Sequence, residues 1–252
     1  MIFCSNYGIL TLGIIWKGDI FMSLTEWNKK RVILFDLDGT LTNPGIGITN
    51  SVMYALNRFG IAVSDRRELY KFIGPPLKES FEEFYGFEEA RAVQAVAAYR
   101  EYFSDKGIFE NELYEGIEAL LKRLKDAGKV VGLATSKPEI YAGQILEYFS
   151  LDGYFDVLSG STLGGERTDK AEVIAWAFRL LEEKTGQACL PEEMVMIGDR
   201  EHDIIGAKKN GISSIGVLFG YGSMEELTGA GADAVVPSVD RLAELLTGSA
   251  EA

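Results

Sequence analysis

Short apolar runs alternate along this chain with stretches in which apolar residues recur every three to four positions. Val32-Ile33-Leu34-Phe35 is an unbroken apolar run closed by acids and a glycine. That is the pattern of a strand covered on both faces. Similar runs at residues 130–134, 155–158, 194–197, 212–217 and 234–236 predict further buried strands. Between them, Ile117, Leu120, Leu121 and Leu124 fall at i, i+3, i+4 and i+7, and Gly128 supplies the stop. Val173, Ile174, Ala177, Leu180 and Leu181 repeat the helical spacing and end before Gly186. Strands alternating with helices predict an α/β fold, a doubly wound parallel sheet with helices on both faces.

One stretch breaks the alternation. Residues 44–112 carry helical patterns alone, at 48–59, 65–72, 77–85 and 88–106, with Gly74-Pro75-Pro76 as a break between two of them. The expected organisation is an α/β core over 22–43 and 113–247, a small all-helical domain inserted after the first strand over 44–112, and a loose tail at 248–252. Residues 1–21 differ in character. The apolar run from Tyr7 to Trp16 is too short to span a bilayer. No basic residue precedes it and no small-residue cleavage pattern follows, so it is a poor signal peptide. Lys17-Gly18-Asp19 can be encoded as AAA-GGA-GAT, which reads as a ribosome-binding sequence at a suitable distance from Met22. The expectation is translation from Met22, with 1–21 a non-native or frayed extension.

Composition narrows the function. Hydrophobic residues at 47% and charged residues at 25% are an ordinary globular mix. Lys plus Arg is 25 and Asp plus Glu is 38, a formal charge of −13. Such a chain is repelled by nucleic-acid backbones and by anionic membrane surfaces. A small anionic substrate then requires a metal or a local cation to reverse the field at its site. The two cysteines, Cys4 and Cys189, form no C-x-x-C pair, which suits a reduced, cytoplasmic setting. His202 is the single histidine, which excludes multi-histidine metal sites and two-histidine phosphatase mechanisms. Acid–base work falls to carboxylates, Lys or Tyr.

Four segments carry candidate chemistry. Asp36-Leu37-Asp38-Gly39-Thr40 closes the first buried strand, and residues i and i+2 of a strand point the same way. Two carboxyls are thus placed side by side beyond a strand's carboxyl end, where open α/β sheets bind ligands. Adjacent carboxylates repel, so ionising both calls for a cation. Gly198-Asp199-Arg200-Glu201-His202-Asp203 places acids after another strand. If a helix begins there, Asp199 and Asp203 share a face; helix capping is the plainer alternative. Four carboxylates with water make an oxygen-rich site suited to Mg²⁺. Thr135-Ser136-Lys137 closes a third strand, offering a hydroxyl either to a phosphoryl oxygen or to the next helix as a cap. Lys170 opens the helix over 173–181, where a cation is unfavourable to the helix dipole unless an anion is bound; a solvated lysine is the alternative.

These segments, in this order from Arg31 to about Leu246, resemble the haloacid dehalogenase-like superfamily of phosphohydrolases. The resemblance implies that Asp36 is the nucleophile and Asp38 the general acid/base. Phosphate binding falls on Thr135, with Ser136 beside it, and on Lys170. Mg²⁺ falls on Asp36, Asp38 (through its main-chain carbonyl), Asp199 and Asp203. The helical insert matches the family's cap, which closes over substrate. A proline commonly follows the lysine in close relatives, whereas this chain has Ala171. Gly74-Pro75-Pro76-Leu77 and Gly220-Tyr221-Gly222 look most like the phosphoglycolate phosphatase-like branch. The implied activity is a Mg²⁺-dependent phosphomonoester phosphatase acting on small phosphorylated metabolites through an aspartyl-phosphate. A 5′-nucleotidase is the alternative, and a phosphomutase or a non-catalytic binding module are readings of another class. No nucleic-acid or membrane partner is expected, and the chain is read as a monomer or homodimer. Phe72, Phe81, Phe84, Tyr85, Tyr99 and Tyr102 read as insert core, and Lys78 and Arg100 as solvated bases or as greeters of a second anion.

Overall fold

The computed structural model describes residues 7–9, 15–17 and 24–248. Among the described residues, ten strands run in chain order: β1 (Tyr7–Ile9), β2 (Ile15–Lys17), β3 (Val32–Phe35), β4 (Thr42–Asn43), β5 (Glu112–Leu113), β6 (Val130–Pro138), β7 (Val157–Ser161), β8 (Met194–Gly198), β9 (Ser213–Val217) and β10 (Ala234–Val236). Eight of them form one sheet in the order β1-β2-β10-β9-β8-β3-β6-β7. Its pairings are parallel from β10 to β7, while β2 joins β10 and β1 joins β2 antiparallel. The expectation of a start at Met22 falls outside the described residues, as do residues 249–252.

The reason β3 reads as a continuous apolar run is visible in its two faces. Ile33 and Phe35 enter one buried cluster with Leu120, Leu121 and Leu124 of α5 (Ile117–Asp126) and with Leu242 and Leu246 of α10 (Val239–Thr247). Leu34 points into the opposite cluster with Val173, Ile174 and Ala177 of α7 (Lys170–Thr185) and Ala207 of α8 (Glu201–Lys209). Both faces are therefore dry, as a doubly wound sheet demands.

The insert is helical throughout: α2 (Gly45–Arg58), a 3₁₀ turn (Arg66–Phe72), α3 (Leu77–Tyr85) and α4 (Glu89–Tyr102). Phe72 and Phe81 are buried at its centre with ring centroids 5.0 Å apart, so those aromatics are core. Two spans expected as α-helix differ. The segment near 65–72 is 3₁₀, started by Asp65, whose side chain accepts from the Arg67 N–H. The helix expected over 88–106 ends at Tyr102 and passes into a π turn at Phe103–Gly107. There Gly47 and Gly107 let two backbones meet, since a Cβ on Gly47 would stand 1.9 Å from the Gly107 carbonyl oxygen. The strand expected at 155–158 lies later, at Val157–Ser161. Its polar residues are satisfied internally: Ser159 Oγ donates to Val173 O (2.7 Å) and Ser161 Oγ to Ser136 O (2.8 Å). A hydrophobicity pattern stops short at such serines. The two-residue pair β4–β5, where the chain leaves and re-enters the core, has no sequence signature of its own.

Leu34→Ala, at a position with no solvent exposure between two filled faces, should cost about 3 kcal/mol. Urea denaturation should show the midpoint falling with an unchanged slope.

Candidate active site

Strand register assembles the site. In β3, Phe35 pairs with Leu133 of β6 on one side and with Ile197 of β8 on the other. The residues that follow each of these partners therefore emerge together at one edge of the sheet. The Asp36 N–H donates to Ile197 O at 2.9 Å, which continues the ladder one residue further and fixes the nucleophile candidate in place. Asp36, Thr135 and Asp199 thus share one end of three adjacent strands.

Lys170 is the first residue of α7, whose N-cap Asp169 accepts from the Ala171 N–H at 2.7 Å. Its ammonium lies 2.8 Å from Asp36 Oδ1 and 2.8 Å from Asp203 Oδ1, and donates to Ala134 O at 3.1 Å. Lys170 is buried, so it is no surface lysine. Asp203 lies in the first turn of α8 and accepts from the Arg200 N–H at 3.1 Å. Asp199 precedes that helix. A shared helical face is therefore not what brings the two acids together; a turn after β8 does. Asp199 accepts from the Tyr221 N–H (2.8 Å) and the Thr40 hydroxyl (3.4 Å). Gly39 turns at φ +82°, and a Cβ there would stand 2.2 Å from Asp199 Oδ2. Gly198 is equally tight against Asp203, 2.1 Å from its Cγ.

Carboxylate oxygens of Asp36, Asp199 and Asp203 all lie within 4.8 Å of one another, the group of acids that could hold a metal ion among the described residues. The Asp38 carboxyl is not part of it; its Oδ2 pairs with Lys137 Nζ at 2.7 Å. Thr135 is buried, and its hydroxyl oxygen accepts from the Lys137 N–H at 3.3 Å, which leaves its own proton to give. The Ser136 hydroxyl donates to Thr168 O at 3.1 Å. The following helix α6 (Glu139–Tyr148) is entered through Pro138, so neither hydroxyl caps it. Asp36, Asp38, Thr135, Ser136, Lys137, Lys170, His202 and Asp203 line one small central cavity. Beside it lies a cleft of about 430 Å³ between insert and core, bordered by Phe72, Tyr99, Arg100, Phe103, Lys137 and Tyr141. Lys78 borders the same cleft, with its ammonium engaged by Glu82 and Glu89.

Burial sets the electrostatics. It pushes Asp199 well above the usual carboxylate range, with Asp203 and Asp36 adding to the effect. Burial also pushes Asp203 up to about 6 against the pull of Lys170. Asp38 is raised by burial too, opposed by Lys137. Burial works against the Lys170 ammonium, but Asp203 and Asp36 outweigh it and hold the proton more firmly than in water. Burial thus disfavours the charged forms of Asp199, Asp203 and Asp38, and a further cation at the site would favour their ionisation.

Four participants escape a sequence reading. Lys137 sits in a motif but its Asp38 pairing depends on an irregular stretch between Ala134 and Pro138. Thr40 is fully buried against Asp199. Arg200 reaches out of the acid loop, donating from Nη1 to Ile73 O of the insert (2.7 Å) and from Nε to Glu226 (2.8 Å). Tyr221 gives its N–H to Asp199 and its hydroxyl to Asn43 Oδ1, which also accepts from the Gly45 N–H at 3.2 Å. All four stand in motifs of the sequence, but no spacing within those motifs reveals the partners they meet.

The model of haloacid dehalogenase-like hydrolases matches residues 33–217, a span that includes all of these acids and Lys170. The chain belongs to the haloacid dehalogenase-like hydrolase family. A 5′-nucleotidase from Pseudomonas aeruginosa is 49% identical over 195 residues, covering 77% of this chain and 86% of that protein. The crystal structure of a predicted phosphatase from Clostridium acetobutylicum is 51% identical, with a TM-score of 0.81, covering 85% of this chain and 97% of that one. Tyrosine-protein kinase PtkA of Mycobacterium tuberculosis is 37% identical over 218 residues, 86% of this chain and 72% of its own length. Among the described residues, no helix is long and apolar enough to cross a membrane.

The raised acids make a pH prediction for metal-free protein. An Asp with a folded pKa near 6, against an ordinary 3.8, binds its proton more tightly when folded. Stability should therefore fall as pH rises from about 4 through about 6. Lys170 contributes equally across this window, which lies below its ordinary 10.5. Urea denaturation in chelator should give lower stability at pH 7.5 than at pH 5, with a divalent cation restoring the loss.

Proposed function

We propose that this chain is a Mg²⁺-dependent phosphomonoester phosphatase that acts on small phosphorylated metabolites through an aspartyl-phosphate on Asp36. The observation that carries this reading is the setting of Asp36. It is buried at the end of β3 with Lys170 at 2.8 Å and oxygens of Asp199 and Asp203 within 4.8 Å. A phosphate dianion approaching three carboxylates meets repulsion of order 4 kcal/mol per charge pair at about 4 Å near a protein surface. One lysine offsets a single charge, so a second cation is required.

The residues suit a hard divalent ion. They offer oxygen ligands alone. Asp36 Oδ1 and Asp203 Oδ1 are buried without a well-formed hydrogen bond, although the Lys170 ammonium is close to both. Asp36, Asp199 and Asp203 would hold Mg²⁺ by their carboxylates, with the Asp38 carbonyl as a further ligand on the family pattern. Bound there, Mg²⁺ would supply positive charge to the phosphoryl oxygens.

The chain's own residues then divide the work. Asp36 attacks phosphorus in line; its O–P bond forms as the ester O–P bond breaks. Asp38 protonates the departing alkoxide, then accepts a proton from the water that hydrolyses the aspartyl-phosphate. Thr135 donates its free proton to a phosphoryl oxygen, and Lys170 holds another. Ser136 shapes the wall of the phosphate site, its own proton being given to Thr168. The insert serves as a cap that excludes water during turnover. Gly74-Pro75-Pro76-Leu77 of the insert and Gly220-Tyr221-Gly222 of the core support a phosphoglycolate phosphatase-like reading. A second reading, nucleoside monophosphate hydrolysis, draws on the Pseudomonas relative and on a cleft of about 430 Å³, roomy for so small a leaving group as glycolate. The cysteine usage supports a cytoplasmic setting.

Asp36→Asn should lower turnover at least about 10³-fold while leaving the circular dichroism spectrum unchanged; retained activity would refute the nucleophile assignment. EDTA should silence the protein and added Mg²⁺ should restore it. A panel of phosphoglycolate, nucleoside monophosphates, sugar phosphates and pyrophosphate, ranked by kcat/KM, should separate the two readings of substrate.

A further inference from the structure

The chemistry above leaves Lys137 without a task. Its side chain is 7% exposed, in the irregular end of β6. Its ammonium lies 2.7 Å from Asp38 Oδ2 and 4.6 Å from the centre of the Phe103 ring. Phe103 opens the π turn that closes α4, so it belongs to the insert. One cation is therefore clamped between an acid of the core and a ring of the insert, an arrangement in which the ring face attracts the charge. The other oxygen of Asp38, Oδ1, is buried and has no hydrogen-bond partner among the described residues. Lys137 and Asp38 line both the central cavity and the larger cleft. If phosphorus is attacked from Asp36, the bond to the leaving group lies at that junction.

We infer that Lys137 is a positioning residue, pinning one oxygen of Asp38 so that the unpartnered oxygen faces the leaving-group atom, with Phe103 seating the lysine when the insert is docked on the core. The torsion that turns a carboxylate is soft and broad, so an acid without a fixed partner presents its two oxygens interchangeably. An ammonium held on Oδ2 ends that freedom. In the transfer itself, the proton passes from Asp38 Oδ1 to the alkoxide oxygen as the ester O–P bond breaks and the Asp36–phosphorus bond forms. Lys137 keeps its own protons throughout and stabilises the carboxylate left behind. The inference rests on the phosphatase reading and adds to it a link between the insert's seat and the acid's orientation.

Leaving-group dependence tests this, because an alkoxide needs the proton and a p-nitrophenolate does not. Lys137→Met should lose about 30-fold or more in kcat/KM on the alkyl phosphate preferred by the wild type, and less than about 3-fold on p-nitrophenyl phosphate. Lys137→Arg should restore most of the loss. Phe103→Leu, one step further from the acid, should show the same selectivity at about 5-fold. Equal losses on the two esters in Lys137→Met, or none on the alkyl ester, would overturn the inference. A crystal structure of Lys137→Met adds a readout that needs no turnover: the Asp38 carboxylate should be turned from its wild-type orientation, and an unchanged orientation counts against the role. A wild type inactive on every ester would instead sink the phosphatase reading, while the orientation of Asp38 in the two crystals would still judge Lys137.

Discussion

Three buried carboxylates gathered together, two of them against one ammonium, are the constraint on which this molecule is built. Asp36, Asp199 and Asp203 cannot all ionise in a dry site without help, and Lys170 supplies part of it from 2.8 Å. Much nearby structure serves to hold that unfavourable arrangement still. Main-chain N–H groups of Arg200 and Tyr221 are spent on Asp203 and Asp199. Glycines stand where any side chain would strike an acid. An apolar sheet, filled on both faces, provides the rigidity such a site needs.

The insert is joined to this charged centre in more ways than by its two chain crossings. Arg200 leaves the acid loop and binds the Ile73 carbonyl. Tyr221 packs edge-on against Tyr70 of the insert while its N–H serves Asp199. Lys137 rests on Phe103. Each contact runs from a residue adjacent to, or paired with, one of the site acids. The location of the insert and the geometry of the acids are thus parts of one packing problem.

The sequence made the sheet and its acids legible because both leave strong local marks. β3 and β10 were bounded correctly from apolar runs, and Asp36, Asp199 and Lys170 lie at the element ends where their motifs put them. What escaped was whatever depends on distant partners. Ser159 and Ser161 extend β7 because Val173 and Ser136 offer carbonyls to them, and no window of sequence contains those pairs. The 3₁₀ turn and the π turn keep the apolar spacing of an α-helix but differ from it in hydrogen bonding. Lys137 stands at the close of a strand motif, and nothing local reveals that an acid and an aromatic ring wait on either side of it.

Asn43 marks where the chain departs from the core, and its carboxamide is gripped from two directions, by the Tyr221 hydroxyl and by the N–H that begins α2. One residue upstream of Asn43, the Thr42 carbonyl is already tied to the Gly39 N–H at 2.7 Å. Tyr221 has little room to travel, because Gly220 and Gly222 are wedged against Gly39 and Asp199. The gatepost is therefore mortared into the wall of the charged chamber. Any swing of the door has to begin beyond Asn43, leaving the post and the chamber to move as one masonry block.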